Sequence, residues 1–187
     1  MAIQSDGELK EAVATVGQLL QDIQDYVGRD FSKPCKIRFP RGYIRTAAQL
    51  RVRLSFLNDP VLKDNIAYTL ILSDVLHWIL VRTDLAATAK DMLIKLQMFL
   101  LGSLVESITK VYLRGRCGQN YVKRTEYMEQ NGMIPAHLRP ELDWLWDLRN
   151  RMHLFQVTCS EYNLSDYTTA NHNRAVKAFQ ELLDALS

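Results

Sequence analysis

Arg149 and His153 stand four residues apart in the stretch Trp144-Leu-Trp-Asp-Leu-Arg-Asn-Arg-Met-His153. On a helix turning about 100° per residue their side chains emerge about 40° apart, on one face. A histidine, with an ordinary pKa of about 6.5, can move a proton at the 2′-hydroxyl or the 5′-oxygen of an RNA linkage. An arginine one turn away can hold the extra negative charge of the phosphorane. Together they are a minimal set for cutting RNA without a metal. Asn150 and Arg151 add an amide and a second guanidinium, and Trp146 and Phe155 can wall the spot. The same pair also describes an ordinary surface patch, so the surrounding sequence has to decide. The other histidines read differently. His77, beside Trp78 in an apolar run, reads as a satisfied core histidine, whereas His137 and His172 lie near expected helix starts, where exposed polar residues are usual.

Other chemistries lack their parts. There is no glycine-rich phosphate loop after a strand, no H-E-x-x-H and no G-x-S-x-G. Cys35, Cys117 and Cys159 are odd in number, widely spaced and never in a C-x-x-C arrangement, so they predict neither a disulfide framework nor a zinc knuckle. No metal and no cofactor is expected.

The net charge of +2 conceals an uneven distribution. Between Arg29 and Arg53 lie Arg29, Lys33, Lys36, Arg38, Arg41, Arg45, Arg51 and Arg53 against one acid, Asp30. That window carries +7 and leaves −5 for the remainder. A second run, Lys110, Arg114, Arg116, Lys123 and Arg124, has no acid within it. Phe31, Phe39, Tyr43, Tyr112 and Tyr121 are interleaved with these cations, a combination that suits phosphate backbones and stacked bases. Solvated loops balanced by acids elsewhere would look the same in sequence.

The elements that must position these residues read as helices throughout. Leu9, Val13, Val16, Leu20, Ile23 and Val27 recur at alternating steps of four and three, with Ser5 or Asp6 to cap the helix and Gly28 to end it. That stripe predicts a helix lying on the core, with a short two-helix seam as the alternative. Pro34, Pro40 and Gly42 mark residues 29–45 as a basic loop. A short helix is expected from Thr46 to Leu57, and a long one from Asn58-Asp59-Pro60 through Arg82, with proline in its first turn. The next begins at Asp84 and runs to about Arg114, where Gly115 and Gly118 follow. Another spans Tyr121 to Gln130 before Asn131-Gly132. Pro140 opens the helix carrying Leu142, Leu145, Leu148, Met152 and Phe155, and a last helix from Ser165 or Asp166 buries Ala175, Phe179, Leu182 and Leu186. No strand pattern of period two persists. The expected fold is all-α, an up-and-down bundle of four to five main helices with an extra N-terminal helix.

Met128-Glu-Gln-Asn-Gly-Met-Ile-Pro135, then Leu138, Leu142 and Trp144 to Phe155, resembles the HEPN family (higher eukaryote and prokaryote nucleotide-binding domains), in which an Asn-Gly turn precedes a helix bearing Arg, a polar residue and then His. The resemblance covers about thirty residues, with a compatible helical order elsewhere. Glu106, within Leu104-Val-Glu-Ser-Ile108, looks like the acid that some members place on an earlier helix facing the motif, and Arg149 is its candidate partner. The resemblance implies a four- or five-helix domain, often paired across a two-fold axis. It further implies a metal-independent endoribonuclease of toxin–antitoxin, phage-defence or RNA-processing systems, with RNA, a second copy and an antitoxin protein as partners. Carried over, Arg149 holds the phosphate, Asn150 orients groups and His153 is the acid/base; Arg151, Glu106, Arg114, Arg116, Lys123 and Arg124 would contact substrate. Two departures stand out: three residues, not the usual four to six, separate Arg149 from His153, and Phe155 replaces the tyrosine of members modified by a nucleotidyltransferase.

A chain of 187 residues fits one domain by length. Its first residues lack the basic and apolar regions of a secretory signal, which predicts a cytoplasmic protein. Ile66 to Val81 and Met92 to Val105 are broken by Asp74, His77, Lys95 and Gln97 and read as core helices rather than membrane spans. Two other readings compete with the nuclease: a non-catalytic HEPN-like module binding RNA, a nucleotide or a protein, and a plain helical interaction protein.

Overall fold

In a computed structural model, residues 2–30, 32–151 and 166–187 are described. They fall into two compact units, residues 1–40 and 41–187. The chain is 70% helical, with seven helices and no strand among the described residues. Met152, His153, Phe155 and Cys159, together with Phe31, lie outside them.

The first unit holds α1 (Asp6–Val27) and the basic segment after it. Ser5 caps α1 by accepting from the Glu8 N–H, and Gly28, at φ 58°, donates its N–H to the Gln24 carbonyl. On the polar face, Gln18 and Gln21 donate to Asp22 and Asp25 one turn on. No residue of α1 is buried. The stripe from Leu9 to Ile23 therefore stays uncovered within its own unit, where the sequence predicts a core-facing helix.

The second unit begins with α2 (Ala47–Arg53), opened by a capping box between Thr46 and Gln49, and α3 (Pro60–Arg82), capped by the Asp59 carboxylate with proline in the first turn. Then come α4 (Ala87–Tyr112), α5 (Tyr121–Gln130), α6 (Leu138–Arg151) and α7 (Thr169–Leu186). α4 does not start at Asp84. Ala87 takes φ 51°, which breaks the right-handed run, so Asp84 lies ahead of the helix.

α4 is the axis of this unit, since α3, α5, α6 and α7 all pack on it. By length and composition it is the one helix among the described residues that could cross a membrane. Half of its apolar window is buried inside the protein, however: Ile94, Met98, Leu101, Val105 and Ile108 are buried at alternating steps of four and three, and Leu104 fills a second side. α6 contributes Leu138, Leu142, Leu145 and Leu148, and α7 contributes Ala175, Phe179, Leu182 and Leu186. Polar links fix the packing. Arg139 bridges to Glu129 at 2.7 Å, Thr125 donates to Asp143 at 2.7 Å, and Arg174 forks onto Glu141 with its guanidinium 3.9 Å from the centre of the Trp144 ring.

His172 departs from expectation. It is only 1% exposed, its Nε2 lies 2.9 Å from Gln97 Oε1, and its ring stacks on His77 at 5.6 Å. Its place on α7 turns it inward toward α4 rather than outward. His77 is correspondingly unsatisfied, because its buried Nδ1 has no hydrogen-bond partner. Burial, reinforced by His77 and partly offset by the Asn173 contact, holds the His172 imidazole below its ordinary pKa. A native state that resists this proton is at full advantage above about pH 6.5, the unfolded value, and loses that advantage as pH falls through the lower folded value. The midpoint of thermal unfolding should therefore drop between pH 7.5 and 5, and His172→Gln should flatten that drop. An identical slope in the variant would place the acid sensitivity elsewhere.

Candidate functional site

Arg149 reaches the surface from the last turn of α6, where this helix packs against Gly102 of α4. Gly102 makes the approach possible. A Cβ on Gly102 would come within 2.7 Å of the Arg149 Cβ and 3.1 Å of the Leu145 carbonyl oxygen, so no other residue fits without parting the helices. Around this contact α4 presents Ser103, the next residue, with Phe99 and Glu106 one turn to either side. Arg149 Nε donates to Ser103 Oγ at 3.4 Å and Nη1 lies 3.4 Å from Glu106 Oε2, while the guanidinium sits 5.7 Å from the centre of the Phe99 ring. Nη1 also donates to Asn150 Oδ1 at 2.8 Å. The pairing expected of Glu106 with Arg149 is thus present. The side chain is 27% exposed, and among the described residues Nη2 makes no hydrogen bond.

Such an arrangement can do one thing well. The stem of Arg149 is held by packing and by an acid, an amide and a hydroxyl, while one edge of the planar fork, with no partner among the described residues, has the geometry to receive an anion. His153, the proposed proton carrier, lies outside the described residues.

Gly102→Ala should destabilise the protein, because the clashing atoms are a backbone oxygen and a Cβ rather than the tip of a flexible chain. Overpacking costs about 1–3 kcal/mol, against a gain of about 1 kcal/mol from replacing a mid-helix glycine. Chemical denaturation that finds the variant as stable as the parent would mean that α4 and α6 separate freely.

The remaining expected site residues are not brought together with Arg149. Arg151 points away from Arg149 and pairs with Asp147 at 3.0 Å and Asp166 at 3.5 Å. Arg114, Arg116 and Lys123 are exposed around the α4–α5 turn. Arg124 is buried and donates to the Gln119 carbonyl at 2.7 Å, so it is not a surface contact for an RNA strand. Tyr121, expected to stack on bases, is itself buried: it donates to the Leu142 carbonyl at 3.0 Å and stacks on Trp146 at 4.6 Å. Burial, together with Asp143 and Glu106, pushes its hydroxyl pKa up against the opposing charge of Arg124. That stack also removes Trp146 from any wall around Arg149.

Among the described residues, three of the eight cations in the +7 window are paired with carboxylates as well. Arg45 forks onto Asp74 at 2.6 Å and 3.0 Å, Arg51 meets Asp64 at 2.9 Å, and Arg53 meets Asp184 at 2.9 Å. Sequence reasoning missed Gly102, Ser103 and Phe99. The signal was there: a Gly-Ser pair in an otherwise apolar helix marks a close backbone approach, and residues 99, 103 and 106 share one face. Among the described residues no group of three or more His, Cys, Asp or Glu side chains could hold a metal ion. No family model matches the chain, and neither a curated protein nor a solved structure is similar to it.

Proposed function

We propose that the chain is a metal-independent endoribonuclease of HEPN type, working as a cytoplasmic homodimer in a toxin–antitoxin or phage-defence setting. Its helices would form the up-and-down bundle of that family, with residues 1–187 as one functional module. Arg149 clamps the scissile phosphate, Asn150 and Glu106 orient the guanidinium, and His153 moves the proton. The 2′-hydroxyl, losing its proton, attacks phosphorus; the 5′-oxygen leaves and is protonated. The products are a 2′,3′-cyclic phosphate and a 5′-hydroxyl.

The observation that carries this reading is the anchored but incompletely satisfied Arg149 fork at the α4–α6 contact. Purified protein incubated with mixed single-stranded RNAs in EDTA should cut them, leave cyclic phosphate ends and spare strands whose 2′-hydroxyls are replaced by hydrogen. Binding without products would instead assign a non-catalytic RNA-binding module.

A further inference from the structure

The turn between α4 and α5 closes over a cavity of about 190 Å³ that the Arg149 site does not use. Three cations line it, Lys110, Arg114 and Arg124, together with Gly115, Gly118 and Gln119, and no carboxylate is among its lining residues. Lys110 and Arg114 are exposed at the rim. Arg124, one turn into α5, also lines it and is only 3% exposed.

That burial is the anomaly. Arginine is almost never fully buried unless paired, because its charge loses hydration that only an anion or several acceptors can replace. Here the guanidinium has one acceptor, the Gln119 carbonyl at 2.7 Å, and the face of Tyr121 at 5.5 Å. Its Nε is buried with no hydrogen-bond partner, and among the described residues no carboxylate lies within ion-pair distance. Two further positive charges converge on the same space, where self-repulsion would otherwise favour dispersal. Gly115, at φ 77°, supplies the left-handed residue that this turn needs between Arg114 and the rest of the cavity wall.

We propose that this cavity binds a single phosphate dianion, either free or carried at the end of an oligonucleotide. Size sets the class. The volume is about six times the ~30 Å³ share of one liquid water, enough for one phosphate group with some of its hydration. It falls below the ~300–1,000 Å³ of pockets that enclose drug-sized ligands, so a sugar and base stay outside. Charge sets the sign, and the planar fork of Arg124 matches two phosphate oxygens as an ammonium would not. The site is separate from the Arg149 cluster and stands or falls without it.

The test titrates the full chain with inorganic phosphate, read by calorimetry and by thermal unfolding. Parallel titrations use one short oligoribonucleotide, made with 2′-deoxy linkages throughout to prevent turnover, bearing a 5′-phosphate, a 3′-phosphate or neither. Phosphate should bind saturably and raise the unfolding midpoint. Arg114→Ala and Lys110→Ala, both at the exposed rim, should each weaken it about tenfold, the order of one lost charge-assisted hydrogen bond. Arg124→Met, which keeps the packing volume and removes the charge, should abolish the effect, while Lys177→Ala on α7 should leave it intact. A terminally phosphorylated oligonucleotide binding at least tenfold tighter than its hydroxyl counterpart, with the difference lost in Arg114→Ala, identifies the chain end as the source; equal binding of the three oligonucleotides identifies the free anion. No saturable phosphate effect, or one unchanged in Arg114→Ala and Lys110→Ala, overturns the proposal even if Arg124→Met fails to fold.

Discussion

His153→Ala should lower the rate of RNA cleavage by about 100-fold or more, the usual scale for a lost general acid or base. The variant should keep its far-ultraviolet helical signal and its unfolding midpoint to within a few degrees, which separates lost chemistry from lost fold. Arg149→Lys should be nearly as damaging. A lysine keeps the charge but not the planar fork, and it cannot reproduce the simultaneous contacts with Ser103, Glu106 and Asn150 that hold the native side chain. If the parent and His153→Ala cut at equal rates, the activity belongs to a contaminant or to other residues. The non-catalytic binding module then becomes the better reading.

Leu148→Ala should remove about 2–5 kcal/mol of stability, the range for truncating a fully buried leucine and leaving a cavity. Leu148 is 1% exposed on α6, immediately before Arg149, and it continues the buried row Leu138, Leu142 and Leu145. The loss should appear in urea unfolding as a lower midpoint with an unchanged slope. Because the same turn carries the guanidinium, the folded variant should also bind anions at Arg149 more weakly, an effect that Phe179→Ala on α7 would not share at equal destabilisation. A cost near zero would mean that α6 turns a different face to α4.

Helix ends and core faces were largely legible in the chain. Ser5 and Gly28 bound α1, Asp59-Pro60 opens α3, and Asn131-Gly132 closes α5, because capping is a contest among neighbouring backbone groups and a few adjacent side chains settle it. The buried rows of α6 and α7 followed from periodicity for the same local reason. The expected start of α4 at Asp84 failed because the φ of Ala87 is not written in a capping pattern.

What the sequence determined by itself was the helical class, most of the caps, and the placing of Arg149, Asn150 and Glu106 as a candidate cluster. Which charges are free was decided only by the tertiary structure. A run of cations looks open when counted along the chain, yet Arg45 meets a carboxylate 29 positions away and Arg53 one 131 positions away. Arg124, from an equally basic run, is buried with no carboxylate partner among the described residues. His172 and Tyr121 were misplaced for a related reason. Polar tips on amphipathic helices are assigned to solvent by pattern, whereas burial depends on whether another helix arrives with an acceptor, as α4 does with Gln97 and α6 with the Leu142 carbonyl. Pairing and burial are properties of distances between helices, and those distances are set by packing that no local spacing encodes.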